Sequence, residues 1–214
     1  MRTARHLLTR RYAQPVVTLM LVGLLLAHPF ISARQGLLLF VLAALLALFI
    51  SIRRSDLKLR IYLGISSFVL VWSIFWDLHP GLEKLFLYSS CISTYFIFIF
   101  FIIHDLLKTT EITKNEIFSL INCYLIVGTV FSFVYEIIFY STPESFSFGP
   151  HNIYDHSIFL YYSFITITTL GYGDVVPISP FARHIAIIEA IFGQFYIAIV
   201  VSYILGKYIQ RKLA

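Results

Sequence analysis

Between two long apolar stretches lies the segment TITTLGYGDVVP, which runs from Thr166 to Pro177. It combines threonine hydroxyls, two glycines that leave the backbone bare, and one aspartate. Hydroxyl and backbone carbonyl oxygens are the groups that can replace the water around a cation. Glycines such as Gly171 and Gly173 can adopt backbone dihedrals that a side chain would penalise. These residue types therefore indicate coordination of a cation by oxygen atoms in an apolar environment.

The composition of the chain places this segment in a membrane. Of the 214 residues, 59% are hydrophobic and 13% are charged, whereas soluble domains have about 45–50% apolar and about 25% charged residues. The basic residues behind the net charge of +5 are spread between apolar runs, which indicates topology signals rather than a nucleic-acid partner. The sequence contains no HExxH, no GxSxG and no metal-ligand spacing. We therefore expect an integral membrane protein that is not an enzyme and needs no cofactor.

Six stretches are apolar enough to be membrane-spanning helices, which need about 20 such residues. They are 15–31, 37–52, 61–79, 85–104, 117–140 and 181–206. Two alternatives stay open for the first stretches. Residues 1–30 also have the pattern of a signal peptide, and the first two helices could form a tilted, partly interfacial hairpin. The sequence thus predicts an all-α membrane protein, with a four-helix membrane region over 1–110 and a second domain over 111–214.

The orientation of these helices follows from the distribution of Lys and Arg. With a cytoplasmic N-terminus, only Arg34, Lys84 and Arg183 of the 16 basic residues lie outside. Short cytoplasmic loops carry the excess of Lys and Arg. Both termini are therefore expected in the cytoplasm, and residues 141–180 are expected to face outward.

A further apolar segment, 156–168, is too short to span. Asp155 can cap a helix that begins near His156, and about 13 residues give roughly 20 Å of helix, half a bilayer. Irregular backbone at this depth is tolerated only where protein surrounds it or where it lines an aqueous path. The chain must then return through TLGYGDVVP to the outer face. We expect a re-entrant segment between the last two spans.

The turn of this re-entrant segment resembles the signature filter of potassium channels, TxxTxGYGD, at Thr166, Thr169, Gly171, Tyr172, Gly173 and Asp174. The resemblance covers roughly residues 117–206 and is closest to bacterial channels with a two-helix pore. It implies an outer helix 117–140, a pore helix 156–168, a filter 169–174 and an inner helix 181–206. It also implies a homotetramer, because one filter strand cannot enclose an ion. The expected function is passive conduction of K⁺, the transported ion.

The same resemblance assigns roles to the filter residues. Their carbonyl oxygens would take the place of the water around K⁺, and Thr169 would add its hydroxyl at the inner end. Leu170 stands where many relatives have valine, and its side chain is expected to point away from the ions. The expected filter consists of Thr169, Leu170, Gly171, Tyr172 and Gly173, of which the first four are expected to hold K⁺.

Further residues are expected to support the filter and its outer mouth. Tyr172 should point outward and be braced by Tyr161 and Tyr162 on the short helix, with Thr166 in the same support. Asp174 should draw cations to the mouth and form a hydrogen bond behind the filter, with Tyr161 as its partner. The C-terminal end of the short helix should face the pore centre, where its partial negative charge favours a cation.

Alternatives stay open for several polar and small residues around this segment. Gly193, in the middle of 181–206, is either a gating hinge, as the resemblance implies, or a site of close packing onto the short helix. Glu189 and Gln194 should face protein rather than lipid; Glu189 either makes a plain interhelical contact or bonds to the filter scaffold. His151 and His156 are either ordinary surface histidines or proton sensors.

The stretch 85–104 contains no Lys or Arg, so gating by an arginine-bearing voltage sensor is not expected. Eight residues of this sequence follow Gly206, so no cytoplasmic ligand-binding domain is expected within it. Two alternatives stay open: gating comes from the membrane, the filter or a partner, or the sequence is truncated. Two rival functions remain: a potassium transporter subunit, which typically carries four fused pore units, and a non-conducting regulatory membrane protein that retains the motif. The expected location is the plasma or inner membrane, with lipids as neighbours.

Overall fold

The computed structural model describes residues 14–23, 25–26, 80–108, 114–149 and 157–213. The predicted spans 37–52 and 61–79 lie outside the described residues. The described helices are α1 (Gln14–Gly23), α2 (Pro80–Lys108), α3 (Lys114–Ser141), α4 (Ile158–Ile167) and α5 (Pro180–Leu213). A short 3₁₀ turn, Pro143–Ser145, precedes strand β1 (Phe146–Phe148), and strand β2 (Val175–Pro177) follows α4.

Two of the described helices, α3 and the Pro180–Ile204 part of α5, are long and apolar enough to cross a membrane. The long apolar helices predicted at 117–140 and 181–206 are therefore confirmed. The span predicted at 85–104 lies within α2, whose apolar part is Tyr88–His104, and it stays a prediction. The N-terminal stretch 15–31 is described only in part, as α1.

Local sequence signals account for the ends of the two spans. Helix α3 ends at Ser141, two residues before Pro143, since the residue before a proline disfavours helical dihedrals. Helix α5 begins with Pro180 in its first turn, where the missing N–H is no loss, and Ser179 Oγ accepts a hydrogen bond from the Ala182 N–H at 3.2 Å. It continues to Leu213, seven residues beyond the predicted end at 206, because no proline or further glycine follows there.

Helix α4 is the short helix between the two spans. It begins at Ile158, two residues later than predicted, and Ser157 occupies its N-cap position without a side-chain capping hydrogen bond. Asp155 and His156 lie outside the described residues. At its C-terminal end the Thr169 N–H donates to Thr166 O at 2.9 Å. With ten residues, α4 cannot span, as predicted.

An aromatic cluster holds α4 against α3. The Tyr135 and Tyr162 rings meet edge-on at 4.9 Å between centroids, and so do those of Phe146 and Phe159. Such edge-to-face pairs contribute about 0.5–1.5 kcal/mol each beyond their buried area. Phe146 belongs to β1, so the cluster also fixes the chain that leads into α4.

Strands β1 and β2 pair antiparallel, with Ser147 opposite Val176. The pairing was not predicted from the sequence. It joins the chain before α4 to the chain after the TLGYGD turn, and the Gly149 N–H extends it by donating to Asp174 O at 2.8 Å. The ends of the re-entrant segment are therefore closed into one loop.

Helices α1 and α2 pack against α3 in a hydrophobic cluster separate from the one around α4. Val17, Tyr95 and Cys123 are buried together there. Asn122, fully buried, joins α1 to α3 because Thr18 Oγ1 donates to its Oδ1 at 2.6 Å and its Nδ2 donates to Gln14 Oε1 at 3.0 Å. Helix α3 is therefore covered on two sides, whereas much of the apolar surface of α5 is exposed in the single chain.

Candidate functional site

The backbone of the TLGYG segment changes hand at alternate residues. The φ angle is +59° at Thr169, +52° at Gly171 and +79° at Gly173, whereas Leu170 and Tyr172 have negative φ. Glycine takes positive φ without a Cβ penalty. Thr169 is the non-glycine residue with positive φ in the described part of the chain, and such strain persists only where the surroundings impose it.

Hydrogen bonds impose this conformation from both sides. The side-chain amide of Gln194 on α5 donates to Thr169 Oγ1 at 3.0 Å. The Gly171 N–H donates to Ile165 O at 3.1 Å, which ties the turn back to α4. Gln194 was expected to face protein; it faces the first residue of the predicted filter.

The C-terminal end of α4 lies directly against α5 and α3. Tyr124 on α3 donates its hydroxyl proton to Ile167 O at 3.1 Å. A Cβ added to Gly193 would lie 1.9 Å from the same carbonyl oxygen, far inside any permitted contact. Of the two interpretations of Gly193, this geometry favours close packing onto the short helix. Its assignment as a gating hinge stays a prediction.

The outer end of the segment is held by Asp174. Tyr161 donates its hydroxyl proton to Asp174 Oδ2 at 2.7 Å, and the Val175 N–H donates to Oδ1 at 3.1 Å. Tyr161 is the partner that the sequence suggested for Asp174. The aspartate therefore connects α4 with the chain that leaves the turn.

The two other aromatic supports are arranged differently. Tyr162 is buried against Tyr135 and Phe146, and Tyr172 is 66% exposed in the single chain. The bracing of Tyr172 by Tyr161 and Tyr162 therefore stays a prediction. Thr166 donates its hydroxyl proton to Tyr162 O at 2.8 Å, within α4.

Glu189 on α5 contacts both neighbouring helices, more than a plain interhelical contact. Tyr135 on α3 donates to Glu189 Oε2 at 2.5 Å, and Ser163 on α4 contacts Oε1. Sequence reasoning had not singled out Tyr135 or Ser163. The available signal was that an ionisable residue inside a span needs a polar partner.

His151 and His156 lie outside the described residues. Within the described residues, no group of His, Cys, Asp or Glu could hold a metal ion.

Two comparisons with known proteins identify the class of this chain. A family model described as "Ion channel" matches residues 119–210, which include most of α3, all of α4, the turn and most of α5. Protein LctB of Bacillus caldotenax is 32% identical over 101 residues, 44% of this chain and 73% of LctB. No solved structure matches the chain. The chain belongs to the ion-channel family; it is a membrane protein and not an enzyme.

Proposed function

We propose that the chain forms a potassium-selective channel that conducts K⁺ passively, with Thr169 to Gly173 as its filter. The observation that carries the proposal is the alternation of φ along this segment. In a strand of uniform hand, successive carbonyls point to opposite sides. Alternating signs of φ turn successive carbonyls toward one side of the chain and successive N–H groups toward the other; anion-binding nests use the N–H side of such a backbone.

Carbonyl oxygens on one side of the chain suit the chemistry of a potassium filter. A ring of such oxygens replaces the hydration shell of the ion. Thr169, Leu170, Gly171 and Tyr172 supply the carbonyls, and Thr169 also supplies its hydroxyl, which Gln194 orients. The C-terminal end of α4 adds partial negative charge at the inner end of the filter, and Asp174 adds charge at the outer mouth.

A homotetramer follows from the same chemistry, because one chain contributes one filter strand and the ion must be enclosed. The side chains of Tyr172 and Leu170 are 66% and 59% exposed in the single chain, and Phe195 on α5 is 64% exposed. In a tetramer, a neighbouring subunit would pack against the exposed side chains of Leu170 and Tyr172, whereas lipid would not. The partners are then three further copies of the chain and the surrounding lipids.

The membrane orientation completes the proposal. Both termini face the cytoplasm and the turn with Asp174 faces outward, because the basic residues then lie inside. The chain resides in the plasma or inner membrane, with residues 1–110 as a peripheral region without a voltage sensor and 111–214 as the pore domain.

Flux through purified protein in liposomes tests this function. Potassium should move down its gradient without a coupled ion, sodium should be discriminated against, and barium should block the flux. Movement that requires a second ion would favour a transporter subunit instead. No flux from a correctly assembled tetramer would favour a non-conducting regulatory protein.

The bond between Tyr161 and Asp174 yields a second prediction. Replacing Tyr161 by phenylalanine removes the hydroxyl donor. A hydrogen bond to a charged group contributes about 1.5–3 kcal/mol to stability when buried. Because Tyr161 is 39% exposed in the single chain, we expect its loss to cost about 1 kcal/mol of stability or less. The open probability of single channels should fall. If the bond is responsible, Tyr161→Phe and Asp174→Asn should not be additive in a double-mutant cycle; additive effects contradict it.

A further inference from the structure

Three helices meet at the carboxyl group of Glu189. The residue is fully buried, as are Tyr135 on α3 and Ser163 on α4. Tyr135 Oη lies 2.5 Å from Glu189 Oε2, Ser163 Oγ contacts Oε1, and Ser163 Oγ also lies 2.6 Å from Gly128 O on α3. Two spans and the short helix are thus connected through one side chain.

Three short oxygen–oxygen contacts require three hydrogens between them. Tyr135 supplies one hydroxyl proton and Ser163 supplies one, whereas the Gly128 carbonyl is only an acceptor. If Glu189 were ionised, one of the three contacts would bring two oxygens together with no proton. A protonated Glu189 supplies the third: it donates to Ser163 Oγ, and Ser163 donates to Gly128 O. The neutral acid therefore satisfies every contact.

The surroundings also disfavour a charge on Glu189. Among the described residues, the titratable groups that face it are tyrosines: Tyr124 and Tyr135 on α3 and Tyr162 on α4. Tyrosine is neutral at pH 7. A buried carboxylate without a cationic partner is strongly disfavoured, most of all inside a membrane.

We propose that Glu189 is a protonated carboxylic acid that positions α4 between the two spans. Glu189 would influence selectivity through α4, and this part of the inference rests on the proposed potassium function. Ser163 lies two residues before Ile165, whose carbonyl holds the Gly171 N–H. Release of α4 from Glu189 would loosen the filter from behind. Glu189 is a positioning residue, since it does not touch the ions.

Replacement of Glu189 separates hydrogen bonding from charge. Glu189→Gln keeps one donor toward Ser163 and one acceptor toward Tyr135, and it should keep the K⁺/Na⁺ permeability ratio of the tetramer within about twofold. Glu189→Leu removes both groups and leaves Ser163 and Tyr135 partly unsatisfied, and it should lower the ratio by about fivefold or more. Equal impairment in both variants would overturn the positioning role, and so would normal selectivity in Glu189→Leu.

Infrared spectroscopy of the full chain in liposomes reads the proton directly. A carboxylic-acid C=O stretching band should be present in the native protein, absent from Glu189→Gln and shifted in Tyr135→Phe, because Tyr135 donates to that oxygen. Glu136 on α3 is a matched control. It is buried, and the Tyr88 hydroxyl on α2 donates to its Oε2 at 3.4 Å. Glu136→Gln should leave the Glu189 band and the permeability ratio unchanged.

The two proposals fail in different ways. If Glu189→Gln removes no carboxylic-acid band, Glu189 is ionised and the inference is wrong, whatever ion the channel selects. If the native protein does not select K⁺, the proposed function is wrong, and the band still reports the state of Glu189.

Discussion

Replacing Gly171 by alanine is expected to abolish potassium selectivity or conduction. Gly171 has a φ of +52°, and an alanine in this left-handed region costs roughly 1–2 kcal/mol, or roughly 4–8 kcal/mol over four subunits. In the single chain the added Cβ would meet no atom within 4 Å, so the penalty is conformational rather than a clash. The backbone should relax toward negative φ and turn its carbonyl from the ion path. Reversal potentials in planar bilayers under K⁺/Na⁺ gradients measure the result.

Leu170→Val is the matched control for this variant. Leu170 is the adjacent residue of the proposed filter, it has negative φ, and its carbonyl rather than its side chain is proposed to bind K⁺. The Leu170→Val channel should retain its permeability ratio. Unchanged selectivity in Gly171→Ala would refute the assignment of the filter. Loss of selectivity in both variants would mean that selectivity depends on side-chain packing rather than on the alternating sign of φ.

Much of this site could be predicted from the sequence because its signals are local. The turn depends on the order of Thr169, Gly171 and Gly173, and glycine at alternate positions indicates an unusual backbone wherever it lies. The two long helices of this region could be predicted because their apolar runs are long enough to span a membrane. Even the contact between Tyr161 and Asp174 is local, since both belong to the re-entrant segment.

The supporting contacts could not be predicted because they join distant parts of the chain. Ser163 and Tyr135 lie 26 and 54 residues from Glu189, and hydropathy does not tell which faces of two apolar helices meet. The pairing of β1 with β2 was missed for a similar reason, as FSF and VVP are too short to stand out as strands. Helix α5 continues past its predicted end at 206 because apolarity marks the length of a span, whereas a helix can continue beyond the membrane.

Together these contacts hold α4 at three levels. Tyr161 bonds to Asp174 at the first level, Ser163 contacts Glu189 at the second, and Ile167 lies against Gly193 at the third. The first level is supported by the chain that leaves the turn, and the other two are supported by α3 and α5. The proposed filter follows the C-terminal end of the short helix, so movement at the third level should displace its Thr169 end most directly.

Gly193→Ala tests that third level and should produce a large loss of tetramer stability. The new Cβ would lie 1.9 Å from Ile167 O, and the obstacle is backbone that cannot rotate away. Overpacking of this kind costs about 1–3 kcal/mol or more per subunit, which outweighs the gain of about 1 kcal/mol in helix propensity. Thermal dissociation of the tetramer in detergent should therefore occur at a lower temperature, and selectivity should weaken with it.

The same helix supplies the control. Gly206 has no atom within 4 Å of an added Cβ, so Gly206→Ala should be neutral or should stabilise by up to about 1 kcal/mol per subunit. A hinge at Gly193 makes the opposite prediction, because alanine would then change the open probability and leave the dissociation temperature at or above that of the native protein. A lower dissociation temperature for Gly193→Ala but not for Gly206→Ala would assign Gly193 to close packing, because a Cβ at Gly193 meets Ile167 whereas a Cβ at Gly206 meets nothing within 4 Å.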